Sequence, residues 1–495
     1  MKKHIYMVST ALVIGMAAPV AAQDDFAGFS EGILAMLGSQ GADISYDARN
    51  VGADGSVEFI GFSMTSPDGM SSVQADWIKG VPSASTPGQV TFTLSPSASF
   101  SFTDSETGEH IINISNSGLV ATLDGITSGQ DAEVLNFSVV ANSLGFTSGN
   151  PNDTVLKALD VTFSDLNQTV AFSPASKLLR AEFGVSLLNL IYDLTPPDGT
   201  QMASNGQVVD LQAAVQIIAD DNERNFIDYL SGATTAFIEM SAGISTATAK
   251  MLSPEARIAY SSSSASTNIE LRAENGRLDY AVEGGRAEYS FTEININGMP
   301  IPPFDMAIDE AAMKLSMPTV SDGTFEEANA VIAMRGVQLS ESLYAMFDPG
   351  QQISRDPINA VVDISANVMP KIDWNNPDAA FGSGNPDDIA EVQDITINEV
   401  LFTAGGAEIT AEGGAVIDNS MGFPFPTGKV TITAAGIQAL ANGLVAIGLI
   451  PQDQAGMMMG AMMAFARPGE VADEFISDIE FSPEGITANG VPLPM

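Results

Sequence analysis

Apolar and polar residues alternate along most of this chain, and this two-residue period limits its fold more than any other feature. The alternation is clear at Val90–Leu94, Leu135–Val139, Leu278–Val282 and Val430–Ile432. Such a period is typical of strands with one buried and one exposed face, and clusters of Gly, Asn, Asp and Ser between the runs indicate turns. Neighbouring strands of this kind usually pair antiparallel. The sequence therefore predicts a mainly β (α+β) protein built from extended antiparallel sheets.

A few segments with helical spacing interrupt the predicted strands. A short N-terminal helix is expected between Phe26 and Leu37. A helical insert is predicted around residues 174–250, because Ser173 is a favourable N-cap and Pro174 a favourable first helical residue. Near the C-terminus, residues 437–466 are predicted to form a helical hairpin that bends at Pro451.

The length of 495 residues exceeds that of one domain of ~150 residues. We predict a signal peptide over 1–22, an N-terminal β-rich part over 23–304 and a C-terminal β-rich part over 305–495 with a closing hairpin at 478–493. Residues 296–302 and 488–494 are similar, and each contains Asn-Gly, a strong hairpin signal, two places before a proline. This similarity predicts two related halves; the alternative is chance recurrence of a short turn motif.

The first 22 residues have the features of a secretory signal. Lys2 and Lys3 precede a mostly apolar stretch over residues 7–16, and small residues at 20–22 suit cleavage after Ala22. The alternative is a membrane anchor, but the apolar stretch is shorter than the ~20 residues that a spanning helix needs. The sequence therefore predicts a periplasmic protein.

The composition excludes several classes of function. There are 61 acidic and 19 basic residues, for a net charge of −42, so binding to nucleic acid is not expected. The chain has no cysteine, which excludes disulfides and thiolate chemistry. His110 is the one histidine beyond the signal, and we interpret it as an exposed hairpin residue, not as a member of a catalytic triad. No catalytic residue and no cofactor is predicted.

Calcium is the metal that best suits so acidic a chain, because it prefers oxygen ligands. The candidate ligands lie in one loop and are Asp373, Asp378, Asp387 and Asp388. A solvated loop is the favoured alternative, since the loop lacks the order of residues found in known calcium motifs. Calcium would also suit a hydrolase that uses paired carboxylates, although such clefts are usually rich in tryptophan and this chain has two.

The predicted C-terminal hairpin is rich in methionine, with five methionines between Met457 and Met463. Flexible thioethers suit adaptable apolar binding surfaces. The sequence predicts an apolar ligand surface formed by Leu444, Ile447, Met458, Met462 and Met463. The alternative is that the hairpin packs against a sheet in the core.

Two segments of the C-terminal third resemble a family of exported Gram-negative bacterial proteins, domain of unknown function 2125. The first contains Phe347-Asp348-Pro349, Arg355-Asp356-Pro357 and Val361–Ile364; the second contains Gly448–Ala455, Phe465–Gly469 and Ala488-Asn489-Gly490. The resemblance implies no activity. We interpret these motifs as structural, with Arg355 bonded to Asp348 or Asp356 across a turn.

These observations predict a non-enzymatic protein of the cell envelope, with a structural role or a role in binding lipid, another hydrophobic ligand or an envelope protein. A carboxylate hydrolase is the first alternative. An outer-membrane β-barrel is the second; the predicted helices, the final Met495 and the small number of tyrosines and tryptophans argue against it.

Overall fold

The computed structural model describes residues 26–39, 41–104, 107–125, 134–218, 230–231, 234–372, 389–418 and 425–493. The predicted signal peptide lies outside these residues. Strands joined in antiparallel ladders dominate, so the prediction of a mainly β protein is confirmed. Four helices are defined within the described residues: α1 (Phe26–Ser39), α2 (Glu341–Phe347), α3 (Ile437–Ala446) and α4 (Gln452–Phe465). In this part of the chain, no helix has the length and apolar character needed to cross a bilayer.

The chain divides into two compact units. Of the described residues, unit 1 contains those within 1–221, 240–259 and 295–298, and unit 2 contains those within 222–239, 260–294 and 299–495. The predicted relation between two halves remains a prediction.

Unit 1 is built from long antiparallel strands behind helix α1. Its strands are β1 (Asp43–Ser45), β2 (Ala48–Val51), β3 (Val57–Thr65), β4 (Ser71–Pro82), β5 (Val90–Leu94), β6 (Ser97–Asp104), β7 (Gly108–Ser117), β8 (Val120–Asp124), β9 (Leu135–Ser148), β10 (Leu156–Ser173), β11 (Leu178–Leu194), β12 (Gln201–Ile218) and β14 (Ser245–Leu252). Three further strands have residues in both units: β13 (Ala236–Ala242), β15 (Ala256–Ser264) and β18 (Ala287–Ile296).

Unit 2 contains a long run of consecutively paired strands. Its strands are β16 (Thr267–Glu274), β17 (Arg277–Gly284), β19 (Met299–Ile301), β20 (Phe304–Ile308), β21 (Glu310–Pro318), β22 (Glu326–Leu339), β23 (Ile358–Pro370), β24 (Ala390–Ala404), β25 (Ala407–Asp418), β26 (Phe425–Ala435), β27 (Arg467–Pro468), β28 (Glu474–Ser482), β29 (Gly485–Ala488) and β30 (Val491–Pro492). Strands β16, β17, β21, β22, β23, β24, β25, β26 and β28 pair in that order.

The core of unit 1 lies between helix α1 and the first strands. Phe26 of α1 is buried and meets Phe92 edge-on, with ring centroids 6.0 Å apart. A side chain at Gly80 would collide with the Phe26 ring, so this close approach requires glycine. Arg49 also anchors the helix, because its Nη2 donates to the Ala27 carbonyl at 2.8 Å. The helix therefore covers this part of the sheet, and the predicted N-terminal helix is confirmed.

The predicted helical insert at residues 174–250 is wrong. Residues 178–194 form β11, which pairs with β10 on one side and β12 on the other. Residues 201–218 and 245–252 are also strands. The apolar side chains of β11 fall on both faces of the strand, and such a nearly continuous apolar run fits a helix or a strand equally well from sequence. Pro174 lies in the β10–β11 turn, where Lys177 has a positive φ of 55°.

Two predictions for the C-terminal end are confirmed. Helices α3 and α4 form the predicted helical hairpin on either side of Pro451. The closing hairpin is formed by β28, β29 and β30, and Asn489 and Gly490 adopt positive φ values of 48° and 79° in its last turn.

Candidate functional site

One face of the unit 2 strands carries apolar residues in long cross-strand rows. Residues paired in register project from the same face of a sheet, so the ladder identifies the members of each row. The rows are Ile269–Val282–Met313–Ile332–Val362–Val400–Ala411–Ile432, Leu271–Tyr280–Leu315–Ala330–Ile364–Ile397–Gly413–Val430 and Met334–Ala360–Phe402–Ile409–Ala434. We call these three rows the apolar face.

The centre of the apolar face is exposed to solvent. Met313, Ile332 and Val362 lie side by side on three neighbouring strands, and they are 50, 63 and 42% exposed. Within β22 the exposed residue Ile332 alternates with the buried Ala333. Large apolar side chains normally lie under a second layer of structure, because burying them removes apolar surface from water. Within the described residues, the middle of this face has no such cover.

The opposite face of the same strands carries the polar and charged residues. Lys314, next to Met313 in the chain, forms an ion pair with Glu283 of β17. Arg335 bonds Glu399 at 2.7 Å, and Lys429 lies 3.2 Å from Asp478. These strands therefore have one polar face and one apolar face. This is the usual pattern of an antiparallel sheet that packs one face against another layer of structure.

Unit 1 has a similar but less exposed set of rows. Phe146, Val161 and Leu190 are register partners on β9, β10 and β11, and all three are half-buried. Phe163 links the strands, because its ring lies edge-on to Phe146 and Phe183 at 6.1 and 6.3 Å. These rings fill part of the space above the strands, which explains why this surface is less open than the apolar face.

Much of the predicted apolar ligand surface in the helical hairpin is also exposed. Met458 and Met463 are 60 and 61% exposed, whereas Leu444, Ile447 and Met462 are half-buried. Met457, which the sequence analysis did not include, is the most exposed of the group at 66%. The hairpin therefore presents methionines to solvent instead of packing all of them in a core.

The interpretation of His110 as an exposed hairpin residue is wrong. Its side chain is buried, and Nδ1 bonds the buried carboxylate of Asp153 while Nε2 lies 2.8 Å from Oγ1 of Thr107. Burial raises the pKa of Asp153, but hydrogen bonds from the Leu156 N–H, from His110 and from the Val155 N–H outweigh it, so this pKa lies below its usual value. The arrangement joins the turn before β7 to the loop before β10.

The Thr107–His110–Asp153 contacts resemble the order of groups in a catalytic triad, but their surroundings indicate a structural role. Phe102 packs against the imidazole with ring centroids 4.9 Å apart, and His110 is 4% exposed. Thr107 Oγ1 also lies 3.0 Å from a carboxylate oxygen of Asp104, within the same turn. Among the described residues the imidazole is therefore closed off from solvent, and we interpret the cluster as a link between two loops.

A second polar cluster follows helix α2 and contains Asp348 and Arg355, for which the sequence predicts a hydrogen bond across a turn. Asp348 is fully buried and accepts hydrogen bonds from the Gln352 and Ile353 N–H groups, and Arg355 Nη1 lies 2.6 Å from its Oδ2. The Arg355 guanidinium also stacks over the Tyr344 ring at 4.1 Å. The predicted bond between Arg355 and Asp348 is confirmed, and it closes a turn next to β23.

The four candidate calcium ligands, Asp373, Asp378, Asp387 and Asp388, lie outside the described residues. Within the described residues, no three acidic or histidine side chains are grouped so that they could hold a metal ion.

A family model described as "Uncharacterized protein conserved in bacteria (DUF2125)" matches residues 246–493, which is half of the chain. The chain belongs to this family, and the resemblance drawn from the C-terminal motifs is confirmed. The match includes every strand of the apolar face and both helices of the hairpin. No curated protein matches the chain. Sequence reasoning missed the apolar face itself, because alternation along a strand predicts an apolar side but does not reveal whether anything covers that side.

Proposed function

We propose that this protein is exported to the periplasm and binds the acyl chains of a lipid along the apolar face, without catalysing a reaction. The observation that carries the proposal is the exposure of Met313, Ile332 and Val362 on three adjacent strands. Large contiguous apolar patches on a protein surface usually mark a binding site. Covering this one would gain about 25 cal/mol for each Å² of apolar area removed from water.

The chemistry of the apolar face favours hydrocarbon as the occupant. Of the residues that define its three rows, only Tyr280 carries a side-chain hydrogen-bonding group. The backbone groups of the inner strands are already engaged in the ladders on both sides. A protein partner would ordinarily make about one hydrogen bond per 100–200 Å² of interface. An acyl chain needs none.

The dimensions of the apolar face also suit acyl chains. The two longer rows each cross eight strands, and strands lie ~4.8 Å apart, so each row is about 34 Å long. The hydrocarbon core of a bilayer is about 30 Å thick and contains two acyl chains end to end. Each row is therefore long enough for one or two chains laid across the strands, with the headgroup left in solvent.

Location in the periplasm is supported by the signal-like segment at residues 1–22, which has a basic start, an apolar stretch and small residues before Gln23. A periplasmic protein that carried lipid would have to shield acyl chains from water between membranes. Exposing the apolar face to water without a ligand costs free energy. We therefore expect the protein to contain bound lipid when it is purified from its own host.

Two neighbouring residues on β21 provide a matched test. Met313 and Lys314 have similar exposure, 50% for Met313 and 46% for the Lys314 side chain, but they project from opposite faces of the sheet. We expect M313Q to weaken binding of a lysophosphatidylcholine with a fluorescent acyl chain about tenfold, because a polar amide replaces a thioether in contact with hydrocarbon. K314Q should leave binding unchanged. The measurement is a fluorescence titration below the micelle concentration of the lipid.

Two results would contradict the proposal. In the first, the wild-type protein shows no saturable binding of this lipid. In the second, light scattering shows a dimer that M313Q dissociates and K314Q does not, because the apolar face would then be covered by a second copy of the chain. Urea unfolding of both variants checks that neither substitution changes the fold.

A further inference from the structure

Helix α4 has an unusual surface for a helix in contact with water. Between Gly456 and Phe465, eight of the ten residues are exposed, and all eight are apolar: Gly456, Met457, Met458, Gly460, Ala461, Met463, Ala464 and Phe465. Ala455 is buried, and Met459 and Met462 are half-buried, so these three form the inner side of the helix. A helix that is apolar on its outer side is normally buried in protein or lipid.

The charges around α4 restrict what can cover it. The sequence has no charged residue from Gln454 to Ala466. Arg467, just after the helix, lies 3.6 Å from Asp478. Helices that bind anionic membranes usually carry Lys and Arg along one side, and this helix carries none. With a net charge of −42, the protein is also repelled by an anionic surface.

The end of helix α4 meets the edge of the apolar face. The carbonyl of Phe465 accepts hydrogen bonds from Ser477 Oγ at 2.8 Å and from Asn489 Nδ2 at 2.9 Å. Ser477 is the register partner of Ile432, the last residue of the first apolar row. The exposed methionines and the apolar face therefore belong to neighbouring parts of the same unit.

We infer that the α3–α4 hairpin inserts its exposed methionines into a zwitterionic lipid bilayer and passes acyl chains from it to the apolar face. This inference depends on the proposed function, since it gives that site its source of lipid. Flexible methionine side chains suit a surface that must contact disordered acyl chains. The lack of cationic residues selects phosphatidylcholine and phosphatidylethanolamine over anionic lipids.

Vesicles of phosphatidylcholine and phosphatidylethanolamine that contain a fluorescent phosphatidylcholine provide the test. The full exported protein is compared with the triple variant M457Q/M458Q/M463Q and with the control M457L/M458L/M463L. We expect the glutamine variant to bind vesicles less in co-sedimentation and to take up less fluorescent lipid, each by at least about tenfold relative to the wild type. The reason is that three exposed apolar side chains are lost. The leucine variant should behave like the wild type, and vesicles enriched in phosphatidylglycerol should reduce uptake.

The outcomes separate this inference from the proposed function. If the glutamine variant loads lipid as fast as the wild type while the wild type binds monomeric lysophosphatidylcholine, the inference is overturned and the proposed function stands. Preference for phosphatidylglycerol vesicles would overturn it as well. So would co-sedimentation with host membranes but not with pure lipid vesicles, which would indicate a protein partner. If the wild type does not bind monomeric lysophosphatidylcholine, the proposed function itself fails.

Discussion

The strands of unit 1 and those of unit 2 have the same alternation of residues and differ in what lies over their apolar sides. In unit 1, helix α1 covers the first strands, and Phe26 packs with Val57, Phe59 and Val90 in a buried cluster. In unit 2, Met313, Ile332 and Val362 have the positions in their strands that a core residue would have, yet they remain exposed. The comparison shows that an apolar strand face is a core only when the fold supplies a second layer.

The two regions also differ in how their buried residues are distributed. The cluster of unit 1 joins ten buried residues from a helix and six strands, whereas a smaller cluster in unit 2 contains Ala312, Ala333 and Val361 on the polar side of the sheet. Unit 2 therefore places its small buried side chains on one side and its large apolar side chains in solvent on the other. This arrangement is expected of a binding surface and is unfavourable for a purely structural sheet.

Truncation of one aromatic or aliphatic residue in each region gives the largest expected contrast. Phe59→Ala should lower the free energy of unfolding by about 3–4 kcal/mol, because it leaves a cavity in the covered core of unit 1. Ile332→Ala should lower it by less than about 1 kcal/mol, because its side chain already contacts water. Urea unfolding of the two variants measures the contrast. Equal losses would show that Ile332 is covered in solution and that the strands of the two units do not differ in cover.

Removing the buried hydrogen bond between His110 and Asp153 in unit 1 should lower the free energy of unfolding by a smaller amount. His110→Ala should lower the free energy of unfolding by about 2 kcal/mol, because it removes a hydrogen-bond donor from the buried carboxylate of Asp153. The matched variant Asp153→Asn keeps an acceptor for the Val155 and Leu156 N–H groups and should cost less. Thermal unfolding of each variant provides the comparison. A His110→Ala protein as stable as the wild type would mean that the link contributes nothing.

The Asp348–Arg355 cluster of unit 2 should make a modest contribution to the free energy of unfolding, and this contribution should depend on pH. Burial raises the pKa of Asp348, but the hydrogen bonds from Arg355, Gln352 and Ile353 outweigh it and hold this pKa below its usual value of 3.8. A lowered pKa in the folded state means that the carboxylate stabilises the fold fully above pH 3.8 and loses this effect as pH falls through the folded-state pKa. Asp348→Asn should therefore be less stable than the wild type at neutral pH.

The difference between the wild type and Asp348→Asn should shrink when unfolding is measured in increasingly acidic buffers. A constant difference across the acid range would show that the ionised carboxylate does not stabilise the turn. The Asp348 cluster holds a turn beside β23, which contributes Val362 to the apolar face.

Several features of the fold could be predicted from particular residues. The Asn489-Gly490 turn was predictable because both residues tolerate positive φ, and the helical hairpin was predictable because Pro451 separates two apolar helical segments. Strand β11 is hard to tell from a helix by sequence, because Leu179, Phe183 and Leu187 fit both the strand period and the helix period. Its true state depends on β10 and β12, which pair with it along its whole length.

The candidate site could be predicted only in part. The methionines of helix α4 stand out in the sequence, and several of them are exposed as a binding surface requires. No local sequence pattern marks the apolar face, because its residues come from eight strands. Each of them, taken alone, resembles an ordinary core residue. The partner of His110 was equally hidden, because Asp153 is 43 residues away in the chain and lies in a polar turn.

The sequence by itself determined the mainly β class, the Asn489-Gly490 turn and the helical hairpin, because alternation, glycine and proline act through local backbone geometry. It also determined the family, through the motifs of the C-terminal third. The tertiary structure alone decided which apolar faces are covered and which polar groups meet. Cover depends on whether a distant segment such as helix α1 packs over a given set of strands, and burial of a side chain is a property of that packing. The exposed row of Met313, Ile332 and Val362 exists for this reason: its residues are those of a core, and in the described structure the layer above them is missing.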